Sequence, residues 1–118
     1  MDNTIKYIKK IIKDFEPELG LILGSGLGDF ADNIEGIRIK YENIPGFETS
    51  TVAGHKGQLV FGEVLGKKAV IMQGRYHYYE GYHINRIVYP IKVMKKLGVK
   101  TLIITKIYKA SAIISVYA

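Results

Sequence analysis

Residues 69–82 read Ala69-Val70-Ile71-Met72-Gln73-Gly74-Arg75-Tyr76-His77-Tyr78-Tyr79-Glu80-Gly81-Tyr82, and the change of character at Gln73 decides the fold. The first four residues form a short, wholly apolar run, the pattern of a strand covered on both faces. An arginine, a histidine, a carboxylate and three tyrosines then crowd between two glycines, with a fourth tyrosine just beyond. Polar groups gathered at the carboxyl end of a buried strand stand where open α/β sheets hold their ligands. Arg75 carries a permanently charged fork of donors suited to an oxyanion, and His77 follows two residues later. In extended backbone Arg75, His77 and Tyr79 share one face, and Tyr76, Tyr78 and Glu80 the other. The same residues also read as a tyrosine-rich surface loop without a ligand.

A second run of this kind lies nearer the amino terminus. Leu19-Gly20-Leu21-Ile22-Leu23 is too short for a helix and suits another buried strand. It leads directly into Gly24-Ser25-Gly26-Leu27-Gly28. Glycines there permit a sharp turn and a close approach of backbone N–H groups to a ligand, and Ser25 adds a hydroxyl. A helix beginning near Leu27 would turn its positive end toward an anion. The segment has no Gly-Lys-Ser/Thr, so it is not a Walker loop, and its glycine spacing misses the dinucleotide fingerprint by one position. A glycine turn with no ligand is the competing reading.

The rest of the chain supplies helices, a hairpin and a third buried strand. Ile5, Ile8, Ile12 and Phe15 form one stripe over 2–15, with Lys6, Lys9, Lys10 and Lys13 facing water. Asp2 or Asn3 can cap that helix and Pro17 stops it. Ile37, Ile39 and Tyr41 alternate with charged residues, which predicts a half-exposed strand, and Pro45-Gly46 a turn. Residues 47–57 hold Ser50, Thr51, Gly54, His55 and Gly57 with few apolar side chains, a loop able to fold over a site. His55 reads equally as an accessory ligand contact or as an exposed loop histidine. The runs 59–64 and 68–72 flank Leu65-Gly66-Lys67 and predict a hairpin. Ile84, Ile87, Val88, Ile91, Met94 and Leu97 are spaced for a helix in which Pro90 either makes a kink or marks the first turn. Gly98 fits the position after its end. Thr101–Thr105 predicts a strand. This alternation implies an α/β fold: a central mixed, largely parallel sheet flanked by helices.

Composition narrows the function. With 118 residues the chain is one domain at most. It has no cysteine, so disulfides and thiolate metal sites are excluded, and His55, His77 and His83 lack metal-ligand spacing. No metal or organic cofactor is expected. No apolar run approaches the roughly twenty residues of a membrane span, and the amino terminus lacks a signal-peptide core, so neither membrane nor export is expected and the cytoplasm is the default. The net charge of +6 suits a small anionic substrate. The lysines are dispersed and form no stripe interleaved with aromatics, which argues against nucleic acid.

Taken together, the motifs resemble the amino-terminal part of the trimeric-type purine nucleoside phosphorylases. The resemblance rests on 23–28 (Leu-Gly-Ser-Gly-Leu-Gly), on Ile44-Pro45-Gly46-Phe47 with Ser50-Thr51-Val52, and on Gly54-His55-Lys56-Gly57 with Leu59-Val60-Phe61-Gly62. It continues through 72–82, Pro90 and 97–102 (Leu-Gly-Val-Lys-Thr-Leu), and it covers about residues 1–105 in register. Methylthioadenosine phosphorylases differ after the arginine, so Tyr78-Tyr79-Glu80-Gly81-Tyr82 favours the nucleoside enzymes. The resemblance implies a partial purine nucleoside phosphorylase-like fold and reversible phosphorolysis: phosphate attacks the ribosyl C1′ and releases a free purine and ribose 1-phosphate. It implies that Ser25, His55, Arg75 and His77 bind phosphate, that Tyr79 meets the ribose or phosphate edge, and that Glu80 orients His77, these two being the catalytic pair. Phosphate is the co-substrate and no cofactor is implied.

After Thr105 the family continues with Asn-Ala-Ala-Gly-Gly, where this chain reads Lys106-Ile107-Tyr108-Lys109-Ala110 and ends at Ala118. The expectation is therefore a truncated phosphorylase-like domain over 1–105, retaining the phosphate half-site with its turnover in doubt, and an atypical tail over 106–118 of frameshifted or engineered origin. The uncharged, proline-free segment 112–118 is expected to cover an exposed sheet or to pair with another chain. A homo-oligomer is expected, the family's trimer being altered. Two other classes fit the residues: a non-catalytic self-associating α/β module, and a basic nucleotide- or RNA-binding domain.

Overall fold

The computed structural model describes residues 1–23, 28–47, 57–74, 84–108 and 111–117. In chain order these form α1 (Asp2–Ile12), β1 (Leu19–Ile22), α2 (Gly28–Asp32), β2 (Gly36–Lys40), a 3-10 turn (Tyr41–Asn43), β3 (Gln58–Val64), β4 (Lys67–Gln73), α3 (Ile84–Leu97), β5 (Thr101–Tyr108) and β6 (Ser111–Tyr117). One six-stranded sheet runs in the order β2-β3-β4-β1-β5-β6. Its centre is parallel, β1 lying between β4 and β5, and the pairings outside that centre are antiparallel. This is the mixed α/β architecture that the alternating runs predict, but not the parallel majority. Among the described residues two pairings are parallel and three antiparallel, because the β3-β4 hairpin and the β5-β6 pair add antiparallel strands on either side of the centre.

The apolar runs become the central strands because they are covered on both faces. Side chains alternate across a strand. Leu19, Leu21 and Leu23 accordingly join Val60, Val64, Ala69, Ile71 and Ala31 of α2 on one face. Ile22, Leu59, Phe61, Val70 and Met72 face the other way, against Ile8 and Ile12 of α1 and Val93, Met94 and Leu97 of α3. Removing a side chain such as Ile8 or Val70 from water, both fully buried, stabilises by about 1.5–3 kcal/mol. Gly20 has a packing reason of its own: a Cβ there would lie 3.1 Å from Val99 and 3.2 Å from Met94 and Leu102. The chain from β4 to β5 passes through α3 over that glycine, crossing β1 to reach its far side.

The helices differ from the sequence reading in three places. α1 stops at Ile12, where Lys13 turns left-handed at φ 56° and its N–H closes onto the Lys9 carbonyl. The stripe still serves, since Phe15 continues into the core and meets Phe61 edge-on with ring centres 6.2 Å apart. Met1, not Asp2 or Asn3, occupies the N-cap, with no side-chain cap bond, and Asp2 sits in the first turn near the positive helix end. α3 continues past Pro90, which is buried inside it rather than at its first turn. It ends as expected at Gly98, φ 117°. There the Gly98 N–H reaches the Lys95 carbonyl and the Val99 N–H reaches Met94, the double closure of a glycine C-cap.

The hairpin of β3 and β4 is also as predicted, with Val64 opposite Lys67. Leu65 and Gly66 both have positive φ, 54° and 78°, the signature of the tight turn whose twist matches the strands. β5 extends beyond Thr105 to Tyr108, and β6 pairs with it antiparallel from Leu102–Tyr117 to Tyr108–Ser111.

Candidate active site

Three strand ends converge on one edge of the sheet, those of β1, β3 and β4, beside the middle of β5. β1 and β4 are parallel with Ile22 beside Met72, and the Leu23 N–H donates to the Met72 carbonyl at 3.3 Å. β3 runs the other way, so its first residue, Gln58, pairs with the last residue of β4, Gln73. β5 brings Ile104 beside Ile22, and the Thr105 hydroxyl donates to the Ile22 carbonyl at 3.3 Å. Leu23, Gly57 and Gly74 therefore stand together at the carboxyl edge of β4 and β1, with Thr105 of β5 alongside. In open α/β sheets this edge is where ligands bind. The three segments 24–27, 48–56 and 75–83 start or finish at these residues.

The six site residues proposed from sequence, Ser25, His55, Arg75, His77, Tyr79 and Glu80, all lie in those segments, outside the described residues. Their anchors are described, and they are tightly held. Tyr41 is buried; its hydroxyl donates to the Gly74 carbonyl, and its N–H donates to the Gly57 carbonyl at 2.9 Å. One residue thus fixes the end of the 48–56 segment and the start of 75–83. Its ring rests on Phe47, centroids 5.5 Å apart, the last described residue before the 48–56 segment.

Phe47 is placed by a turn and a hydroxyl relay. Pro45 and Gly46 (φ 88°) occupy the middle of a turn closed by Phe47 N–H to Ile44 carbonyl at 3.1 Å, the proline-then-glycine pattern of a type II turn. Thr4 of α1 donates to the Pro45 carbonyl. Its oxygen lies 2.7 Å from the Tyr89 hydroxyl of α3; since the threonine proton is already engaged, Tyr89 is the donor. Both helices are thereby pinned to the turn that leads toward the site.

A polar chain crosses the same edge. Gln58 Nε2 donates to Gln73 Oε1 at 2.6 Å, and Gln73 Nε2 donates to Asp32 Oδ1 at 2.9 Å. Gln73 is buried and Asp32 exposed, so the chain runs from inside the sheet edge to the end of α2. α2 itself begins at Gly28 and has five residues, too short for an appreciable dipole, since that effect is summed over turns. Its carboxyl end is closed by Arg38 of β2, whose Nη2 donates to the carbonyls of Ala31 at 2.7 Å and Ile34 at 2.9 Å.

Sequence reasoning missed the roles of Tyr41, Gln73, Gln58, Asp32 and Arg38. Tyr41 was visible only as an alternating strand residue. The sign available for the glutamines was a polar side chain at the end of each apolar run. Among the described residues no helix is long and apolar enough to cross a membrane.

Residues 18–106 match the model of the phosphorylase superfamily. The chain belongs to that superfamily. Purine nucleoside phosphorylase 1 of Geobacillus stearothermophilus is 58% identical over 90 residues, which are 75% of this chain and 33% of the relative. The enzyme of the same name from Bacillus subtilis is 49% identical over 106 residues, 89% of this chain and 39% of the relative. Among solved superfamily structures, isoform 2 of Schistosoma mansoni purine nucleoside phosphorylase, in complex with cytosine and ribose-1-phosphate, superposes with a TM-score of 0.81 at 50% identity, over 90% of this chain and 37% of that one. The chain thus spans between about a third and two fifths of the length of these superfamily members. The match ends close to where the sequence resemblance stops, at residue 106 against about 105.

Proposed function

We propose that this chain is the phosphate- and pentose-holding part of a purine nucleoside phosphorylase. The observation that carries the reading is the convergence of Leu23, Gly57 and Gly74 on one sheet edge, because each adjoins a segment bearing anion-binding residue types. Phosphate at neutral pH is a mixture of monoanion and dianion and needs directed donors in a dry recess. Arg75 supplies a forked cation, His77 and His55 ring donors, Ser25 a hydroxyl, and the glycine turn its amides. Tyr79 contacts the pentose, and Glu80 accepts from His77 to orient its ring.

The reaction is a single exchange at C1′. A phosphate oxygen forms a bond to C1′ as the bond from C1′ to the purine nitrogen breaks, and its electron pair leaves with the base, which takes up a proton. Cation character develops on the sugar, so an anion fixed beneath it lowers the barrier by position and by charge. Neither metal nor organic cofactor enters that balance. The purine-recognising groups belong to sequence outside the residues assigned here. On this reading the protein acts in the cytoplasm as a homo-oligomer, with 1–105 as the phosphorylase-like unit and 106–118 as an atypical tail.

Two measurements test it. Phosphate titrated by calorimetry is expected to bind the chain and to lose that binding in Arg75→Ala, a folded variant by circular dichroism. Inosine with phosphate, assayed for hypoxanthine, separates turnover from binding. Phosphate binding without release leaves a half-site; no phosphate binding by the unaltered chain overturns the reading.

A further inference from the structure

The two outer strands of the sheet are unlike. β2, at one end, carries Arg38 and Lys40 among its five residues. Charges of this kind protect an edge from further pairing. β6, at the other end, reads Ser111-Ala112-Ile113-Ile114-Ser115-Val116-Tyr117, with no charge, proline or glycine. It pairs with β5 along its whole length, and the alternate N–H and C=O groups of an antiparallel strand point away from its partner. Among the described residues no strand lies on that outer side. Val116 and Tyr117 are 62% and 54% exposed.

We propose that β6 is the interface for a second copy of this chain, two β6 strands pairing antiparallel about a twofold axis to join the two six-stranded sheets. The argument for a second copy is self-complementarity. An uncharged strand laid against itself meets no like charge at any register, whereas β2 against β2 would bring Arg38 and Lys40 close to like charge. The contact is isologous and uses the one unguarded strand edge among the described residues, so assembly closes at the dimer instead of growing into a fibre. Each chain carries a net charge of +6, which opposes the encounter, and salt therefore strengthens it by screening. The inference does not depend on phosphorolysis, and an inactive chain dimerises equally.

Sedimentation velocity over a concentration series is expected to show a monomer–dimer equilibrium that shifts toward dimer as salt rises. Hydrogen exchange read by mass spectrometry is expected to show β6 amides protected in concentrated protein and exposed on dilution. The double variant Val116→Lys/Tyr117→Lys adds two positive charges to each β6, which guards that edge, and is expected to weaken dimerisation about tenfold or more, while Ile37→Lys on β2 leaves it unchanged. A monomer at every concentration, assembly continuing past two, or a dimer whose β6 amides exchange freely overturns the proposal. The exchange measurement uses the unaltered chain, so it decides even where the double variant does not fold.

Discussion

The hydroxyl of Tyr41 donates to the carbonyl of Gly74, across 33 residues of sequence, and so ties the 3-10 turn after β2 to the residue before Arg75. Tyr41→Phe keeps the ring against Phe47 and removes that donor. A neutral hydrogen bond of this kind contributes about 1 kcal/mol. The urea midpoint is expected to fall correspondingly with an unchanged m-value. If the proposed phosphate site is correct, phosphate should also raise the melting temperature of Tyr41→Phe less than that of the unaltered chain, because the loosened carbonyl adjoins the site.

Gln73 works differently, as the middle of a chain rather than as a tether. Gln73→Ala leaves Gln58 without its acceptor and Asp32 without that donor, at a position 4% exposed. The expected cost is about 1–3 kcal/mol, the range for breaking a buried polar contact. Asp32→Ala removes the exposed end and should cost less. A double-mutant cycle between the two is expected to give a coupling of at least about 0.5 kcal/mol, the usual floor for residues in one network.

These two residues also show where sequence reading succeeds and where it stops. The central strands were legible because Leu19–Leu23 and Ala69–Met72 are buried on both faces, and burial writes itself as an unbroken apolar run. The hairpin and the end of α3 were legible because Gly66 and Gly98 hold conformations that a side chain resists. Tyr41 was not, because its partner lies 33 residues away and nothing local marks a phenol that reaches across a sheet edge. The end of α1 at Ile12 was not either: Lys13 takes a left-handed conformation that its residue type does not announce. Of the candidate site, sequence named the residue types, while the shared edge that unites their anchors came from strand register.

Gly36 and Gly62 face each other across β2 and β3, at a separation that tolerates no side chain. A Cβ on Gly36 would lie 2.0 Å from the Phe61 carbonyl oxygen, and one on Gly62 would lie 2.6 Å from that of Glu35. Both obstacles are backbone, so a rotamer change cannot relieve them. Gly36→Ala and Gly62→Ala are each expected to destabilise by about 1–3 kcal/mol or more, the cost of overpacking. Denaturant unfolding measures it. Solubility should fall in parallel, since a displaced β2 uncovers the edge of β3.

The hairpin turn offers the opposite sign. Leu65 sits at φ 54° and is 92% exposed, so it bears the strain of a left-handed backbone while burying almost nothing in return. That conformation costs an ordinary side chain roughly 1–2 kcal/mol, and asparagine is among the residues that adopt it most readily. Asn-Gly is moreover the preferred pair for a turn in which both central residues have positive φ, and Gly66 is already in place with no atom within 4 Å of where its Cβ would stand. Leu65→Asn is therefore expected to stabilise the chain by about 0.5–1 kcal/mol, part of the strain relieved. Because the turn lies at the end of the sheet opposite Gly74, phosphate binding should be unchanged. Equilibrium unfolding with and without phosphate checks both halves, and a loss of stability would show that Leu65 makes a contact its exposure does not reveal.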